Sequence, residues 1–236
     1  MVARSRVERQ TELLQMPAYS KIGVIFDMDG VLVDSAESHY ESWRTLAAQQ
    51  GVDVCREQFA TTFGRQNRDI VPLLFPNAGE EHVDVLAERK EAIYRDIVRN
   101  NPPIVPGAVE LIRGLNECGV RLAIGSSAPR QNIDLILNAM GVADLIGVIV
   151  SDDDVTRGKP DPQVFTLACE RLDLSPQQCV VVEDAPAGVT AARAAGTHSV
   201  AVLLYHEAQA FEHADLVVDR LADLTVESLN GCAAAM

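Results

Sequence analysis

Apolar residues change their period along this 236-residue chain, and the changes divide it. Residues 1–20 are polar and irregular and read as an N-terminal arm. Ile22-Gly23-Val24-Ile25-Phe26 is a short unbroken apolar run, the pattern of a strand buried on both faces. From Ala36 the spacing becomes helical. Ala36, Tyr40, Trp43, Leu46 and Ala47 predict a helix of roughly fifteen residues stopping at Gly51. Helical spacing continues through Phe59, Phe63, Ile70 and Leu73-Leu74, with Pro72 and Pro76 expected to interrupt it, and a long helix is predicted over residues 80–99. No strand pattern occurs between residues 34 and 100, so residues 35–100 are expected to form a helical cap inserted into another domain.

Past Pro102-Pro103 and Pro106-Gly107, strand and helix alternate. Helices are predicted over 108–118, 129–139, 163–171 and 186–195, and strands over 120–124, 146–150, 179–182, 199–203 and 216–218. This order predicts an α/β fold with a Rossmann-like parallel sheet core, built from residues 21–34 and 101–225, and an all-helical cap. The alanine-rich residues 226–236 read as a C-terminal tail.

Charge narrows the partners. With 34 acidic against 20 basic residues, the net charge is −14, which repels nucleic acid and anionic membrane surfaces. A phosphorylated small molecule would need a local positive site. No apolar run reaches the ~18 residues that span a bilayer, and the start, with Arg4, Arg6 and Arg9, lacks the apolar stretch of a secretory signal. Five scattered cysteines without a C-x-x-C pair fit reduced thiols and a cytoplasmic location. A monomer is expected, with a dimer as the alternative.

Four places carry candidate chemistry. Asp27 and Asp29, in Asp27-Met28-Asp29-Gly30, end the first predicted strand, at the sheet edge where open α/β folds bind ligands. Two carboxylates there repel by about 4 kcal/mol at 4 Å and an effective dielectric of 20, so either a cation lies nearby or the pair merely makes a solvated turn. Ser126-Ser127 follow the second strand of the core and suit phosphate oxygens, or else cap the next helix. Lys159 sits in Gly158-Lys159-Pro160, as a site lysine or a surface charge. Glu183-Asp184 close the apolar run Cys179–Val182, where unpaired carboxylates are costly. Taken together, Asp27, Asp29 and Asp184 offer hard oxygen ligands for Mg²⁺, while Ser126 and Lys159 supply a hydroxyl and a cation for a phosphoryl group.

These motifs, in this order, resemble those of the haloacid dehalogenase superfamily, in the branch of β-phosphoglucomutases and sugar phosphatases. The stretch from Val181 to Gly196, through Glu183-Asp184-Ala185-Pro186-Ala187-Gly188, is especially typical. The resemblance spans roughly residues 21–220 and implies catalytic roles. Asp27 would be the nucleophile that forms an aspartyl-phosphate, and Asp29 the general acid and base. Ser126, Ser127 and Lys159 would hold the phosphoryl group. Mg²⁺ would be bound by Asp27, the Asp29 backbone carbonyl and Asp184, with Glu183 adjacent. His39, Arg65, Arg68 and Lys90 of the cap would face the substrate. Neither arginine aligns with the mutase's distal-phosphate arginine, and Ala128 replaces a serine of the usual Ser-x-Ser stretch. The expected function is therefore a Mg²⁺-dependent phosphatase of a small phosphorylated metabolite, a sugar phosphate in the first place. The alternatives are a β-phosphoglucomutase-type phosphotransferase and a non-catalytic phosphometabolite-binding scaffold. Asp29 counts against a dehalogenase.

Overall fold

The structure, a computed structural model, describes residues 22–62 and 65–234; the arm expected over residues 1–20, and Phe63, lie outside the described residues. Strands β1 (Gly23–Phe26), β2 (Arg121–Gly125), β3 (Val148–Val150), β4 (Cys179–Glu183), β5 (His198–Val202) and β6 (Leu216–Val218) form one sheet in the order β3-β2-β1-β4-β5-β6. Every pairing in it is parallel. Alternate side chains of β1 feed two cores. Val24 and Phe26 pack with α5 (Ala108–Glu117) and α6 (Arg130–Met140), whereas Ile25 packs with α7 (Gln163–Leu172) and α8 (Pro186–Ala195). This is the doubly wound strand order, and its direction reverses between β1 and β4. The carboxyl ends of those two strands therefore flank the crevice in which such sheets bind ligands.

Helices α1 (Ala36–Gln49), α2 (Arg56–Ala60), α3 (Asn67–Leu74) and α4 (Val83–Val98) form the cap around Tyr40, Trp43, Phe59, Ile70, Val71, Leu74 and Leu86. The two crossings between cap and core are tied together. The Asp34 N–H donates to the Pro103 carbonyl at 2.8 Å and the Val105 N–H to the Leu32 carbonyl at 2.9 Å.

Three expectations need correction. Pro72 lies inside α3 and does not break it, because Ile70, Val71 and Leu74 are buried and hold that turn to the cap core. Residues 80–82 form a separate 3₁₀ turn ahead of α4. Residues 226–234 are not a tail but helix α9 (Val226–Ala234), docked through the fully buried Leu229. Its start is closed reciprocally: Ser228 N–H donates to Thr225 Oγ1 at 3.1 Å, and Thr225 N–H to Ser228 Oγ at 3.0 Å.

Candidate active site

A cavity of about 460 Å³ lies between the carboxyl edge of the sheet and the cap. From the core, Asp27, Asp29, Ser126, Ser127, Lys159, Glu183 and Asp184 line it; from the cap, His39, Arg65 and Lys90 do. Two glycines permit this crowding. A Cβ on Gly30, which has φ +81°, would fall 1.9 Å from Asp184 Oδ2, and one on Gly188 would fall 1.8 Å from Glu183 Oε1. The glycines of both motifs are thus room for the last carboxylate of β4, Glu183, and for Asp184 just after it.

Lys159 is no surface lysine. Its side chain is 7% exposed, and Nζ donates to Asp27 Oδ1 at 2.7 Å and to Glu183 Oε1 at 2.6 Å. The other Glu183 oxygen accepts the backbone N–H groups of Asp184 and Ala185, both at 2.9 Å. Glu183 thereby braces the lysine and the loop after β4. Burial works against the charge on Lys159, yet Asp27 and Glu183 more than offset it and raise its pKa. Asp27 is pushed up to about 7, chiefly by burial, with Lys159 opposing and Glu183 and Asp29 adding to the rise. Burial and the same carboxylates raise Asp184 strongly.

Oxygens of Asp27, Glu183 and Asp184 lie within 4.8 Å of one another, and all three residues are buried. Three carboxylates facing a single lysine leave excess negative charge, and hard oxygen donors suit a divalent cation. The residues present therefore fit the metal that the family generally uses. The carboxylate of Asp29 is not part of that group. It turns to the cap side, where Oδ1 accepts from Ser35 Oγ at 2.6 Å and meets His39 Nε2 at 3.2 Å. Burial raises the pKa of Asp29, but the His39 and Ser35 contacts outweigh it and the net shift is downward.

Ser126 is buried, and its Oγ accepts the Ala128 N–H at 3.2 Å. The capping alternative does not hold: α6 has no side-chain cap at its Pro129 N-cap, and its first N–H, on Arg130, donates to Asp153 at 2.9 Å. On the cap side, Lys90 is 2% exposed and donates from Nζ to His39 Nδ1 at 2.7 Å and to Glu91 Oε1 at 2.8 Å. His39 stacks on Tyr94 with centroids 4.1 Å apart. Arg65 is exposed at the cavity. Arg68, expected beside it, does not line the cavity; its guanidinium lies 3.4 Å from Asp152 of the core, because the next helical position turns it toward that loop.

Sequence reasoning missed Ser35, Tyr94, Glu91 and Asn67. The signal for two of these was present. Lys90, Glu91 and Tyr94 all fall on the buried face of α4, and two charged residues inside an apolar helical face need partners.

The comparisons with known proteins agree with this geometry. The profile of the haloacid dehalogenase-like hydrolases matches residues 23–196. The chain is 32% identical to validoxylamine A 7'-phosphate phosphatase of Streptomyces hygroscopicus subsp. limoneus, over 85% of this chain and 94% of that one. It is 32% identical to the β-phosphoglucomutase of Bacillus subtilis, over 88% and 93%, and 34% identical to hexitol phosphatase A of Escherichia coli, over 86% and 93%. A crystal structure of β-phosphoglucomutase from Clostridium difficile superposes with a TM-score of 0.79 at 28% identity, covering 89% of this chain and 96% of that one. The fold and site are those of a phosphoryl-transfer enzyme, a phosphatase or phosphotransferase. The chain belongs to the haloacid dehalogenase-like hydrolase family, in the branch of β-phosphoglucomutases and sugar phosphatases.

Proposed function

We propose that the protein is a cytoplasmic, Mg²⁺-dependent phosphatase of a small phosphorylated carbohydrate, acting through an aspartyl-phosphate on Asp27. The observation that carries this reading is the division of labour between Asp27 and Asp29. One acid belongs to a cluster of three carboxylates around Lys159, and the other is held by Ser35 and His39 on the cap side. The named activities of the relatives, on a sugar-like 7'-phosphate and on hexitol phosphates, support the substrate class.

In this reading Asp27, Asp184 and the Asp29 backbone carbonyl hold Mg²⁺, with Glu183 behind them. The cation, when bound, favours the ionised carboxylates and neutralises charge on the phosphoryl oxygens. Lys159 and the hydroxyls of Ser126 and Ser127 hold the phosphoryl group against Asp27. The Asp27 carboxylate attacks phosphorus, the bond to the ester oxygen breaks, and that oxygen takes a proton from Asp29. A phosphoryl dianion arriving beside Asp29 raises its proton affinity, which prepares an acid that is ionised in the free enzyme. Asp29 then withdraws a proton from water, the water oxygen attacks the aspartyl-phosphate, and inorganic phosphate leaves with Asp27 restored. The cap covers the site and keeps bulk water from the intermediate.

A panel of phosphorylated sugars and polyols, assayed for phosphate release with Mg²⁺ and with EDTA, tests the reading. Metal-dependent release from at least one of them is expected, and none from any would overturn it. The B. subtilis and C. difficile relatives favour a second reading, transfer between hydroxyls of one sugar. Incubation with β-glucose 1-phosphate and a trace of the 1,6-bisphosphate separates the two. Glucose 6-phosphate formed without free phosphate would select the transferase.

A further inference from the structure

We infer that Glu91 is a positioning residue that sets the proton on His39, and hence the hydrogen bond to Asp29, when the cap is seated on the core. This rests on the proposed role of Asp29 as acid and base.

Lys90 and Glu91 are each 2% exposed, side by side on α4. The Lys90 ammonium meets His39 Nδ1 and Glu91 Oε1 and lies over the rings of Trp43 and Tyr94, 5.3 and 5.4 Å from their centroids. An ammonium has three donors and no lone pair, so His39 Nδ1 is obliged to accept. The ring proton is then on Nε2, which faces Asp29 Oδ1. That tautomer holds while the Lys90 ammonium stays at Nδ1, and Glu91 is the carboxylate that fixes it there. The charged and titratable groups around the pair are Asp29, His39, Tyr94 and Arg95, and Arg95 turns to Glu88 at 2.7 Å.

Glu91 is fixed from both sides of the seam. Oε1 also accepts from Asn67 of the cap at 2.6 Å, and Oε2 accepts from Asn132 of the core helix α6 at 2.5 Å. Asn132 is 2% exposed among the apolar Ile133, Ile136 and Leu137, and its carbonyl oxygen accepts from Arg95 at 3.1 Å. An amide in that apolar row is accounted for by the cap residues it reaches. Since α6 follows the Ser126-Ser127 loop, the contact ties the phosphate-side core to the lysine that orients His39. A cap lifted from the core loses the Asn132 contact and frees Glu91 and Lys90 to move.

The test uses the full chain. The ring ¹⁵N shifts of His39, assigned by the signal lost in His39→Gln, report its tautomer in wild type, Glu91→Gln and Asn132→Ala, and turnover of p-nitrophenyl phosphate reports catalysis. Wild type is expected to show the Nε2–H form. Glu91→Gln should show a mixture of the Nε2–H and Nδ1–H tautomers and a kcat lower by about tenfold or more, a loss typical of misplaced groups near chemistry. Asn132→Ala, which keeps the Lys90–Glu91 pair, should shift the same signals less and raise KM more than it lowers kcat. An unchanged His39 pattern in Glu91→Gln overturns the inference, as does an unchanged kcat. If Glu91→Gln does not fold, Asn132→Ala decides, and wild-type shifts with wild-type KM there overturn it. A wild-type enzyme inert toward every phosphate sinks the proposed function instead, and the ¹⁵N shifts still decide the role of Glu91.

Discussion

Each half of the cavity is organised around a buried lysine, and the two lysines keep different company. Lys159 on the core side meets Asp27 and Glu183, with Asp184 within 4.8 Å of both carboxylates. Lys90 on the cap side meets one imidazole and one carboxylate. The first cluster has more negative than positive charge and is buried; burial first, and the neighbouring carboxylates after it, raise Asp184 and push Asp27 up to about 7. The second is close to balanced, and its acids stay ionised: Glu91 lies at about 2, because Lys90, His39 and Asn67 outweigh its burial. Two aspartates one residue apart thus behave oppositely because they turn to different clusters. Excess charge marks where a cation enters; balance fixes where a proton sits.

Removing the acids tests this contrast most severely. Asp27→Asn should abolish phosphate release, a loss on the order of 10⁴-fold or more, since the proposed nucleophile is gone. Circular dichroism should remain that of the wild type; residual turnover near the wild-type rate would falsify the assignment of the nucleophile. Asp29→Asn should cost about 10²–10⁴-fold in kcat, the usual contribution of a general acid and base. An equal loss in both variants, with phosphate trapped on neither, would erase the distinction between the clusters.

Proton and metal compete on the core side alone. Asp27 and Asp184 bind protons more tightly in the folded chain than in the unfolded one, so their contribution favours the fold at low pH. It is lost as the pH rises from the ordinary carboxylate range through the raised value of about 7. A divalent cation binds the ionised forms, so Mg²⁺ should raise Tm by a few degrees more at about pH 8 than at about pH 5.5. Thermal melts with Mg²⁺ and with EDTA at both pH values measure it, and equal shifts would count against the excess-charge account. Glu91 works with the opposite sign. Its stabilisation is present above the ordinary carboxylate pKa and fades as the pH falls toward about 2.

The two halves also differed in how legible they were. The core side could be read because its chemistry is written in contiguous motifs at strand ends, and an apolar run followed by acids fixes both the element and its polar edge. The cap side is assembled from single residues: Ser35 at a linker, Glu91 and Tyr94 within a helix, Asn132 on another domain. Each is unremarkable in its own segment and gains meaning only when two domains pack. Helix α9 was missed for a related reason. Its alanines read as low complexity, while the cap at Thr225 and Ser228 and the fully buried Leu229, flanked by the partly buried Val226 and Cys232, are short signals. Arg68 was misplaced because the spacing of a loop does not say which way the first turn of the following helix points.

That loop offers the smallest of these effects. Arg68 and Asp152 approach at 3.4 Å with side chains 46% and 22% exposed, and Gln66 also donates to Asp152. Such a half-exposed pair contributes about 0.2–1 kcal/mol and is screened by salt. If it steadies the cap over the core without touching substrate, Arg68→Ala should change KM by at most about fivefold, converted from that energy, and leave kcat unchanged. The effect should shrink as salt is added. Arg65, which lines the cavity, should behave differently: Arg65→Ala should raise KM more than Arg68→Ala does, at every salt concentration. Steady-state kinetics of the two variants across a salt series would reverse the assignment of the pair if Arg68→Ala had the larger effect. The outcome turns on geometry, because two arginines three residues apart, one ahead of α3 and one in its first turn, face different partners.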